Sequence, residues 1–382
     1  MESKSLVMLN NATKMLAEVK TIDDAKQIMD MAAAAKVYAQ KHKLGREAVD
    51  YAQEIERAAF IKLGEILTEM EKNKGGNPEL QPVDHNNQLE KPVTLKEIGI
   101  SKDLSSESQA IASLPEEEKE KFKKGKTSKK QVVNQVRQQK KNEILKEKAT
   151  EIKSLRGEIL QGDFFNEINK IKDNSVDLLF VDPPYRILDD KWDTYANDKE
   201  FITFTENWLN AVMPKVKSTG RIYICFSQWY QFELYKLLEK HNYYNFIMKQ
   251  LIIWNYRNNN QPSNRKEYRY AYEPIFYLYG KDAGELNFTP DTYGETQFNV
   301  WTIATPQSNF TEGKYHKAQK PIELIERIIK TGSKENDLIL DPFAGSGTTG
   351  VVCEKLNRQY ILIEKEQEYI EIAKGRLNSV AS

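Results

Sequence analysis

Two apolar runs that each end in Asp-Pro constrain the fold of this chain more than any other feature. The first, residues 176–181, is continuous rather than alternating and leads into Asp-Pro-Pro-Tyr at 182–185. The second, residues 338–340, leads into Asp-Pro-Phe-Ala-Gly-Ser-Gly-Thr-Thr at 341–349. Continuous apolar runs are typical of strands buried on both faces of a sheet. Because open α/β sheets bind ligands at the carboxyl ends of their strands, both motifs are predicted to lie at a binding edge.

The first motif has residue types that suit an amino group on a nucleobase. Such a nitrogen is a poor nucleophile because its lone pair is delocalised into the ring. The carboxylate of Asp182 and the carbonyl of Pro183 offer two fixed acceptors for its hydrogens, which stabilise charge that builds during attack. Pro184 keeps the turn rigid, and Tyr185 offers a face on which an unstacked base can stack. The alternative is a strand that simply ends at a proline turn, with Asp182 as a cap.

The second motif predicts a backbone loop that approaches a ligand closely. Gly345 and Gly347 permit that approach, and the helix expected behind them offers free N–H groups. No Gly-Lys-Ser/Thr follows, which excludes a Walker A loop, and only Gly-x-Gly of the dinucleotide fingerprint is present. Glu364 ends the next apolar run, where an acid is suited to bind ribose hydroxyls. The alternative for Glu364 is a solvated strand end.

The two motifs, in this order, resemble those of the amino-directed DNA methyltransferases of the β class. A third element, His-Lys-Ala-Gln-Lys-Pro at 316–321, matches the same family, and the resemblance covers about residues 155–380. It implies S-adenosyl-L-methionine as methyl donor and adenine N6 or cytosine N4 as acceptor. Aspartate as the first residue of the tetrapeptide resembles the adenine N6 branch. The implied fold is an α/β, Rossmann-like sheet of seven strands, mostly parallel with one reversed, preceded by a helical N-terminal domain.

The resemblance also implies the roles of individual residues. The catalytic set is Asp182, Pro183, Pro184 and Tyr185. Asp163 matches the acid that holds the adenine amino group of the cofactor, and Tyr185 and Phe343 are expected to face the sulfonium. No metal is expected. The full predicted cofactor set is Asp163, Phe164, Lys320, Pro321, Asp341, Phe343, Ala344, Gly345, Ser346, Gly347, Thr348, Thr349 and Glu364.

Composition changes along the chain predict four segments. Residues 1–72 are rich in helix-forming residues and carry an apolar stripe over 46–70, which predicts a helical hairpin that packs on itself or on a second subunit. Residues 73–92 read as a linker, because Gly-Gly, Asn-Pro and Lys-Pro pairs recur there. Residues 93–152 form a helix-turn-helix-like and basic segment. Residues 153–382 form the methyltransferase domain.

Two regions outside the strand ends are candidates for DNA contact. Residues 93–125 predict a short helix, a turn at Gly99 and a second helix from about Ser105, whose polar residues would read bases; an ordinary helical corner is the alternative. Those polar residues are Ser105, Ser106, Ser108 and Gln109. The lysine-rich run 119–148 and the polar loop 255–270 suit phosphate contact, with a solvated helix and a mobile loop as alternatives. The predicted DNA contacts are Arg257, Arg265, Lys266, Arg269, Lys123 and Lys124.

The composition limits the remaining possibilities. Formal net charge is zero, so nucleic-acid binding must come from local patches. The two cysteines, Cys225 and Cys353, lie in apolar surroundings, which indicates buried thiols in a reducing cytoplasm. No apolar stretch reaches about 18 residues, so no membrane span is expected. The apolar stripe and the family both allow a homodimer.

The sequence therefore predicts a cytoplasmic, site-specific adenine-N6 methyltransferase of a restriction-modification system, acting on double-stranded DNA. Cytosine-N4 transfer by the same residues is one alternative. A DNA-binding regulator with an inactive methylase half is another, against which the intact Asp182, Tyr185, Gly345 and Gly347 speak. The segment at 281–315, where the family keeps its target-recognition insert, is short. We therefore expect the N-terminal helices or a second subunit to share in reading the site.

Overall fold

In the part of the chain that the computed structural model describes, strands begin only at Gly157, whereas helices occur throughout. The structure describes residues 4–70, 94–151, 154–185, 195, 197–241, 246–256, 266, 268, 270–288, 298–307, 313–315 and 318–381. The chain divides into two units, Met1–Lys140 and Lys141–Ser382. The predicted linker at 73–92 lies outside the described residues. In the described part of the chain, no helix has the length and apolar character needed to cross a membrane.

The first unit is built from helices. Their bounds are α1 (Lys4–Glu18), α2 (Ile22–Lys41), α3 (Arg46–Glu69), α4 (Lys102–Ala112), α5 (Glu116–Lys123) and α6 (Lys129–Lys148), the last of which continues past Lys140. Helix α2 begins after Thr21, because the Thr21 hydroxyl accepts a hydrogen bond from the Asp24 N–H and the Asp24 carboxylate accepts one from the Thr21 N–H, each at 3.1 Å. Fully buried alanines, among them Ala32 and Ala59, line the contact between α2 and α3.

The predicted helix-turn-helix differs from the structure in two respects. Residues 94–98 form a single turn rather than a helix, although Gly99 does adopt the left-handed conformation, with φ of 64°. Helix α4 begins at Lys102 rather than near Ser105, because Ser101 is its cap: the Ser101 hydroxyl accepts a hydrogen bond from the Leu104 N–H at 3.1 Å.

The prediction that Ser105 and Ser108 read DNA bases is wrong, because both side chains are buried. Gln109 donates a hydrogen bond to the Ser105 hydroxyl at 2.7 Å, whereas Ser106 is exposed. The cause is the close packing of α4 on α3. At Gly64, on α3, an added Cβ would lie only 2.0 Å from the carbonyl oxygen of Ser108.

The second unit contains an eight-stranded sheet in the order β1-β8-β7-β2-β3-β5-β4-β6. All strands are parallel except β5, which runs antiparallel to both of its neighbours. The predicted α/β sheet with one reversed strand is therefore confirmed. It has one strand more than predicted because the three-residue β6 pairs with the outer edge of β4. The strands are β1 (Gly157–Gln161), β2 (Val176–Val181), β3 (Val216–Cys225), β4 (Phe246–Asn255), β5 (Tyr272–Gly280), β6 (Val300–Thr302), β7 (Leu338–Asp341) and β8 (Gln359–Glu364).

Two apolar layers cover the two faces of this sheet, which explains the continuous apolar run in β2. Leu179 and Val181 pack in one layer and Leu178 and Phe180 in the other, as the alternation of side chains along a strand requires. The first layer includes residues of α8 (Asp198–Val212) and α9 (Gln231–His241). The second includes residues of α10 (Ile322–Gly332), α11 (Thr348–Lys355) and α12 (Gln367–Val380). The short α7 (Phe164–Glu167) follows β1.

The parallel pairing brings four strand ends to one edge of the sheet. Strand β2 pairs with β7, β7 with β8, and β8 with β1, all in parallel register. Leu179 lies opposite Leu340, and Gln161 lies opposite Glu364. The segments that begin at Asp182, Pro342 and Gly162 therefore emerge at the same edge as Glu364.

Gly64 offers a test of the packing in the first unit. Alanine normally stabilises a helix interior relative to glycine by about 0.5–1 kcal/mol. At Gly64 the added methyl group would overlap the backbone of α4, and overpacking of this kind typically costs about 1–3 kcal/mol. We expect Gly64→Ala to lower the midpoint of thermal unfolding.

Gly284→Ala is the matched control, because a Cβ there meets no atom within 4 Å. A Gly64→Ala variant as stable as the parent would show that α3 and α4 are not in close contact.

Candidate active site

The Asp182 carboxylate lies at the end of β2 with one of its two oxygens fully engaged. Its Oδ1 atom accepts a hydrogen bond from the Tyr185 hydroxyl and another from the Lys320 ammonium, the latter at 2.6 Å. Among the described residues, no donor contacts Oδ2. Pro183 is buried and Pro184 is half-buried, so the turn after β2 is fixed against the sheet. One carboxylate oxygen is thus held by the protein, and the other is left for a ligand.

Lys320 is almost completely buried, with 7% of its surface exposed. Besides Asp182, its Nζ atom lies 3.2 Å from Oε1 of Glu273 and 5.2 Å from the centre of the Tyr185 ring. Burial lowers the pKa of Lys320, but the carboxylates of Asp182 and Glu273 outweigh burial and hold that pKa above its ordinary value. Lys320 is therefore a permanent cation beside the end of β2. The family match assigned it to the cofactor, whereas its contacts here are with two carboxylates.

Glu273, near the start of β5, is a site residue that sequence reasoning missed. Its Oε1 atom accepts a hydrogen bond from the Tyr185 hydroxyl at 3.2 Å in addition to its contact with Lys320. Burial raises the pKa of Glu273, Lys320 opposes that effect, and the nearby Asp182 charge raises the pKa further. The sequence feature that could have identified Glu273 is an acid directly before a run of apolar strand residues.

The thiol of Cys225, at the end of β3, completes this cluster. Cys225 Sγ and the carboxylates of Asp182 and Glu273 lie within 4.8 Å of one another, a spacing that suits a metal ion. The Lys320 ammonium already supplies a positive charge to both carboxylates. Burial raises the pKa of Cys225 well above its usual range, so the thiol stays protonated. The predicted burial of Cys225 and Cys353 is confirmed.

The loop after β7 is ordered from within by Asp341. This buried carboxylate accepts hydrogen bonds from the Thr349 hydroxyl and from the Phe343 N–H, the latter at 3.2 Å. Burial raises the pKa of Asp341 to about 7, even though both hydrogen bonds act in the opposite direction. The Asp341 side chain therefore fixes the conformation of the loop. Its contribution to a ligand site is this conformation.

The two glycines of this loop adopt a backbone conformation that favours glycine. Gly345 and Gly347 have φ of 50° and 74°, in the left-handed region, and Gly347 directly precedes α11. The Gly345 N–H donates to Oε2 of Glu364 at 2.7 Å, which ties the end of β8 to the loop. Glu364 Oε1 accepts from the backbone N–H groups of residues 365 and 366, both at 2.8 Å. Burial raises the pKa of Glu364.

A buried arginine, Arg376, binds the glycine loop. The Nη1 atom of Arg376, on α12, donates to the Ser346 carbonyl at 2.7 Å and lies 3.0 Å from the Ser346 hydroxyl and 3.1 Å from that of Thr348. The Ser346 hydroxyl also lies 3.5 Å from Oε1 of Gln319. Since Gln319 directly precedes Lys320, two neighbouring residues connect the glycine loop to Asp182. Pro321 is the cap of α10.

The remaining predicted cofactor residues lie at the other end of the same edge. Asp163 caps α7, with its Oδ1 atom accepting from the Phe165 N–H at 3.1 Å, and its Oδ2 atom lies 3.8 Å from the Lys365 ammonium. The rings of Phe164 and Phe343 stack with centres 5.0 Å apart. Ala344 is bound to β8 through its N–H, which donates to the Ile363 carbonyl at 3.0 Å. The edge thus brings both predicted motifs together.

The predicted DNA contacts are only partly within the described residues. Arg257, Arg265 and Arg269 lie outside them, and Lys266 is exposed. In the first unit, the ammonium groups of Lys123 and Lys124 lie 3.0 and 4.0 Å from the carboxylate of Glu120. The lysine-rich run is therefore less positive near α5 than its lysine count suggests.

The buried Asp341 predicts a specific pH dependence of stability. An acid with a raised pKa binds its proton more tightly in the folded chain, so stability falls as the pH rises from about 4 to about 7. Asparagine keeps an acceptor oxygen but cannot ionise. We expect Asp341→Asn to gain stability relative to the parent across this range, as measured by thermal unfolding between about pH 4 and about pH 8.

Asp282→Asn is the control, because Asp282 is exposed and should leave the pH dependence unchanged. An Asp341→Asn variant that follows the parent across the whole range would contradict the assignment of a raised pKa.

Comparison with known proteins identifies the family. A family model described as DNA methylase (N6_N4_Mtase) matches residues 176–375, more than half of the chain. The type II methyltransferase M.HinfI of Haemophilus influenzae is 31% identical over 248 residues, covering 58% of this chain and 68% of that protein. The type II methyltransferase M2.LlaDCHI of Lactococcus lactis subsp. cremoris is 32% identical over 246 residues, covering 59% and 90% respectively. The crystal structure of the M1.HpyAVI–SAM complex has 29% identity and a TM-score of 0.48, covering 58% of this chain and 99% of that one. The chain therefore belongs to the DNA amino-methyltransferase family, in agreement with the order of its two motifs.

Proposed function

We propose that this protein is a site-specific DNA methyltransferase that modifies the N6 amino group of adenine. The observation that carries the proposal is the Asp182 carboxylate, which has Oδ1 held by Tyr185 and Lys320 and Oδ2 free of described donors. Aspartate at the head of the tetrapeptide favours adenine over cytosine. Since the two relatives are named as type II methyltransferases, we further propose a role in a restriction-modification system.

S-adenosyl-L-methionine is the cofactor of this family, and the residues at the sheet edge fit it. Carboxylates follow β1 and end β8, two adjacent strands, at Asp163 and Glu364, which suits an adenine amino group and ribose hydroxyls. The glycine loop follows β7, the next strand along from β8, and its Gly345 N–H is bound to Glu364. Gly347 allows the loop to pack closely against α12, because an added Cβ there would meet that of Ala373 at 2.7 Å. The partly exposed ring of Phe343 supplies an aromatic surface. When bound, the cofactor supplies an electrophilic methyl group on a positively charged sulfur.

The chain's own residues would prepare the target nitrogen. Enzymes that act on a base extrude it from the duplex, and Tyr185 offers a ring on which that base can stack. Oδ2 of Asp182 and the Pro183 carbonyl would accept the two hydrogens of the amino group. With both hydrogens held by these two acceptors, the nitrogen lone pair would be freed from the ring and available to the methyl group that the cofactor would supply. The nitrogen loses one proton, for which Oδ2 of Asp182 is the nearest fixed acceptor.

Contact with the DNA backbone is proposed for the exposed face of α6. Val132, Val133 and Val136 are buried, whereas Lys130 and Arg137, seven positions apart, are exposed. Side chains with that spacing lie on one face of a helix and suit successive phosphates. Contact by Lys266 and the arginines of the polar loop stays a prediction, as do a homodimer, the absence of a metal and a cytoplasmic location.

Asp182 is the residue on which the proposed chemistry depends. Asp182→Ala removes the fixed acceptor, so we expect methyl transfer to fall by at least about a thousandfold. Binding of S-adenosyl-L-methionine should stay within a few fold, as measured by calorimetry. A digest of DNA methylated by the parent should contain N6-methyladenine.

Each outcome has a distinct meaning. A digest that contains N4-methylcytosine instead would assign the cytosine branch. Full activity of Asp182→Ala would overturn the proposed mechanism. Asp177→Asn serves as a control, because Asp177 lies in the same strand but pairs with Lys217, away from the tetrapeptide.

The salt dependence of DNA binding tests the proposed face of α6. Each phosphate contact contributes about 0.9 to the slope of log K against log salt concentration. We expect the double variant Lys130→Gln, Arg137→Gln to reduce that slope by about 2. Lys123→Gln with Lys124→Gln is the comparison, because those ammonium groups already pair with Glu120. An equal reduction in the Lys123, Lys124 variant would support the contacts predicted from the sequence. An unchanged slope in the Lys130, Arg137 variant would exclude DNA contact by this face of α6.

A further inference from the structure

The cluster around Lys320 contains a charged group that the proposed mechanism does not use. Glu273 lies outside both sequence motifs. Its carboxylate nevertheless contacts the two groups that donate to Asp182, the Tyr185 hydroxyl at 3.2 Å and the Lys320 ammonium at 3.2 Å. We propose that Glu273 is a positioning residue for methyl transfer: its charge offsets that of Lys320, so that the cluster around Asp182 keeps a net negative charge. This inference rests on the proposed role of Asp182.

The geometry separates the two oxygens of Asp182. Both donors, Tyr185 and Lys320, converge on Oδ1, so the carboxylate cannot rotate without breaking two hydrogen bonds. Oδ2 is thereby presented in one orientation. Pinned acceptors of this kind are effective because they need no reorganisation when charge develops. The first consequence is that Lys320 fixes the direction of the acceptor.

A lysine in this place also has a cost for the reaction, which Glu273 removes. An unopposed ammonium 2.6 Å from Asp182 would cancel the negative charge of the acceptor and would repel the cationic methyl donor. With Glu273 ionised beside it, the cluster of two carboxylates and one ammonium keeps one net negative charge. That charge favours a positively charged sulfur and a nitrogen that becomes positive during attack.

Loss of Lys320 would change the charge of the cluster in the opposite direction and leave it too negative. Two carboxylates whose oxygens lie within 4.8 Å of one thiol and of each other would then be buried without a counter-ion. Two such groups cannot both stay ionised, so one of them takes up a proton. A proton on Asp182 would remove the acceptor. Charge balance, rather than either charge alone, is therefore what the site requires.

Three variants separate this role from simple packing. Glu273→Gln keeps the size and hydrogen-bonding capacity of the side chain but leaves Lys320 unbalanced, and Lys320→Met leaves the two carboxylates unbalanced. The double variant restores one net negative charge. The rate would be measured in single turnover on unmethylated plasmid DNA with methyl-labelled S-adenosyl-L-methionine. Thermal unfolding without cofactor and cofactor binding would be measured in parallel.

We expect each single variant to lose at least about a hundredfold in single-turnover rate, with little change in the KM for DNA. The double variant should be more active than either single variant by about tenfold, because the two defects compensate each other. Its unfolding midpoint should also exceed that of Lys320→Met, since one buried carboxylate rather than two is left without a counter-ion. Lys217→Met is the control, because Lys217, in β3, pairs with Asp177, in β2, at 2.7 Å, and the variant should leave the rate unchanged.

Two results would overturn the inference. If the losses of the single variants multiply in the double variant, charge balance plays no part in the rate. If unfolding midpoints compensate but rates per folded molecule equal that of the parent in all three variants, the pair has a structural role only. Failure of the underlying function is seen separately, because Asp182→Ala would then retain activity whatever the three variants do.

Discussion

The Lys320 ammonium, held between two carboxylates, is the interaction on which the catalytic edge of this protein depends. Removing three charged groups from water costs several kcal/mol per ion, which only close and well-directed contacts recover. Those contacts join the end of β2, the start of β5 and the residue before the cap of α10. Breaking one of them would leave an uncompensated buried charge. The cluster therefore fixes the relative positions of three elements that the chain supplies from distant parts of its sequence.

The sheet provides the second constraint, because it decides where Asp182 lies. Successive residues of β2 alternate between two apolar layers, and a shift of one residue would exchange the layers along the whole strand. Strand β2 lies in the middle of the sheet and pairs in parallel with β7, so its register cannot shift in this way. The tetrapeptide is thus placed beside the glycine loop by the register of the strands, and side chains adjust its orientation only afterwards.

Sequence reasoning was successful where the signal is local. Apolar runs, Asp-Pro stops and Gly-x-Gly are read within a few residues, and they predicted β2, β7, the loop after β7 and the common edge. Glu273 was missed because its partner Tyr185 is 88 residues away in the chain. The burial of Ser108 was missed because it depends on the absent side chain of Gly64, on another helix. The start of α4 was misplaced because several serines there are suitable caps, and it is the Ser101 hydroxyl that accepts the Leu104 N–H.

The glycine loop and Asp182 lie at the same edge of the sheet but are held in place by different interactions. The glycine loop is shaped by hydrogen bonds between its backbone and the side chains of Asp341, Glu364 and Arg376. Asp182, in contrast, is oriented by charge. Gln319 contacts the loop and Lys320 contacts Asp182, and one peptide bond joins them, so two adjacent residues link the loop to the acceptor. A methyl transferase needs this coupling, because donor and acceptor react only when both are correctly placed.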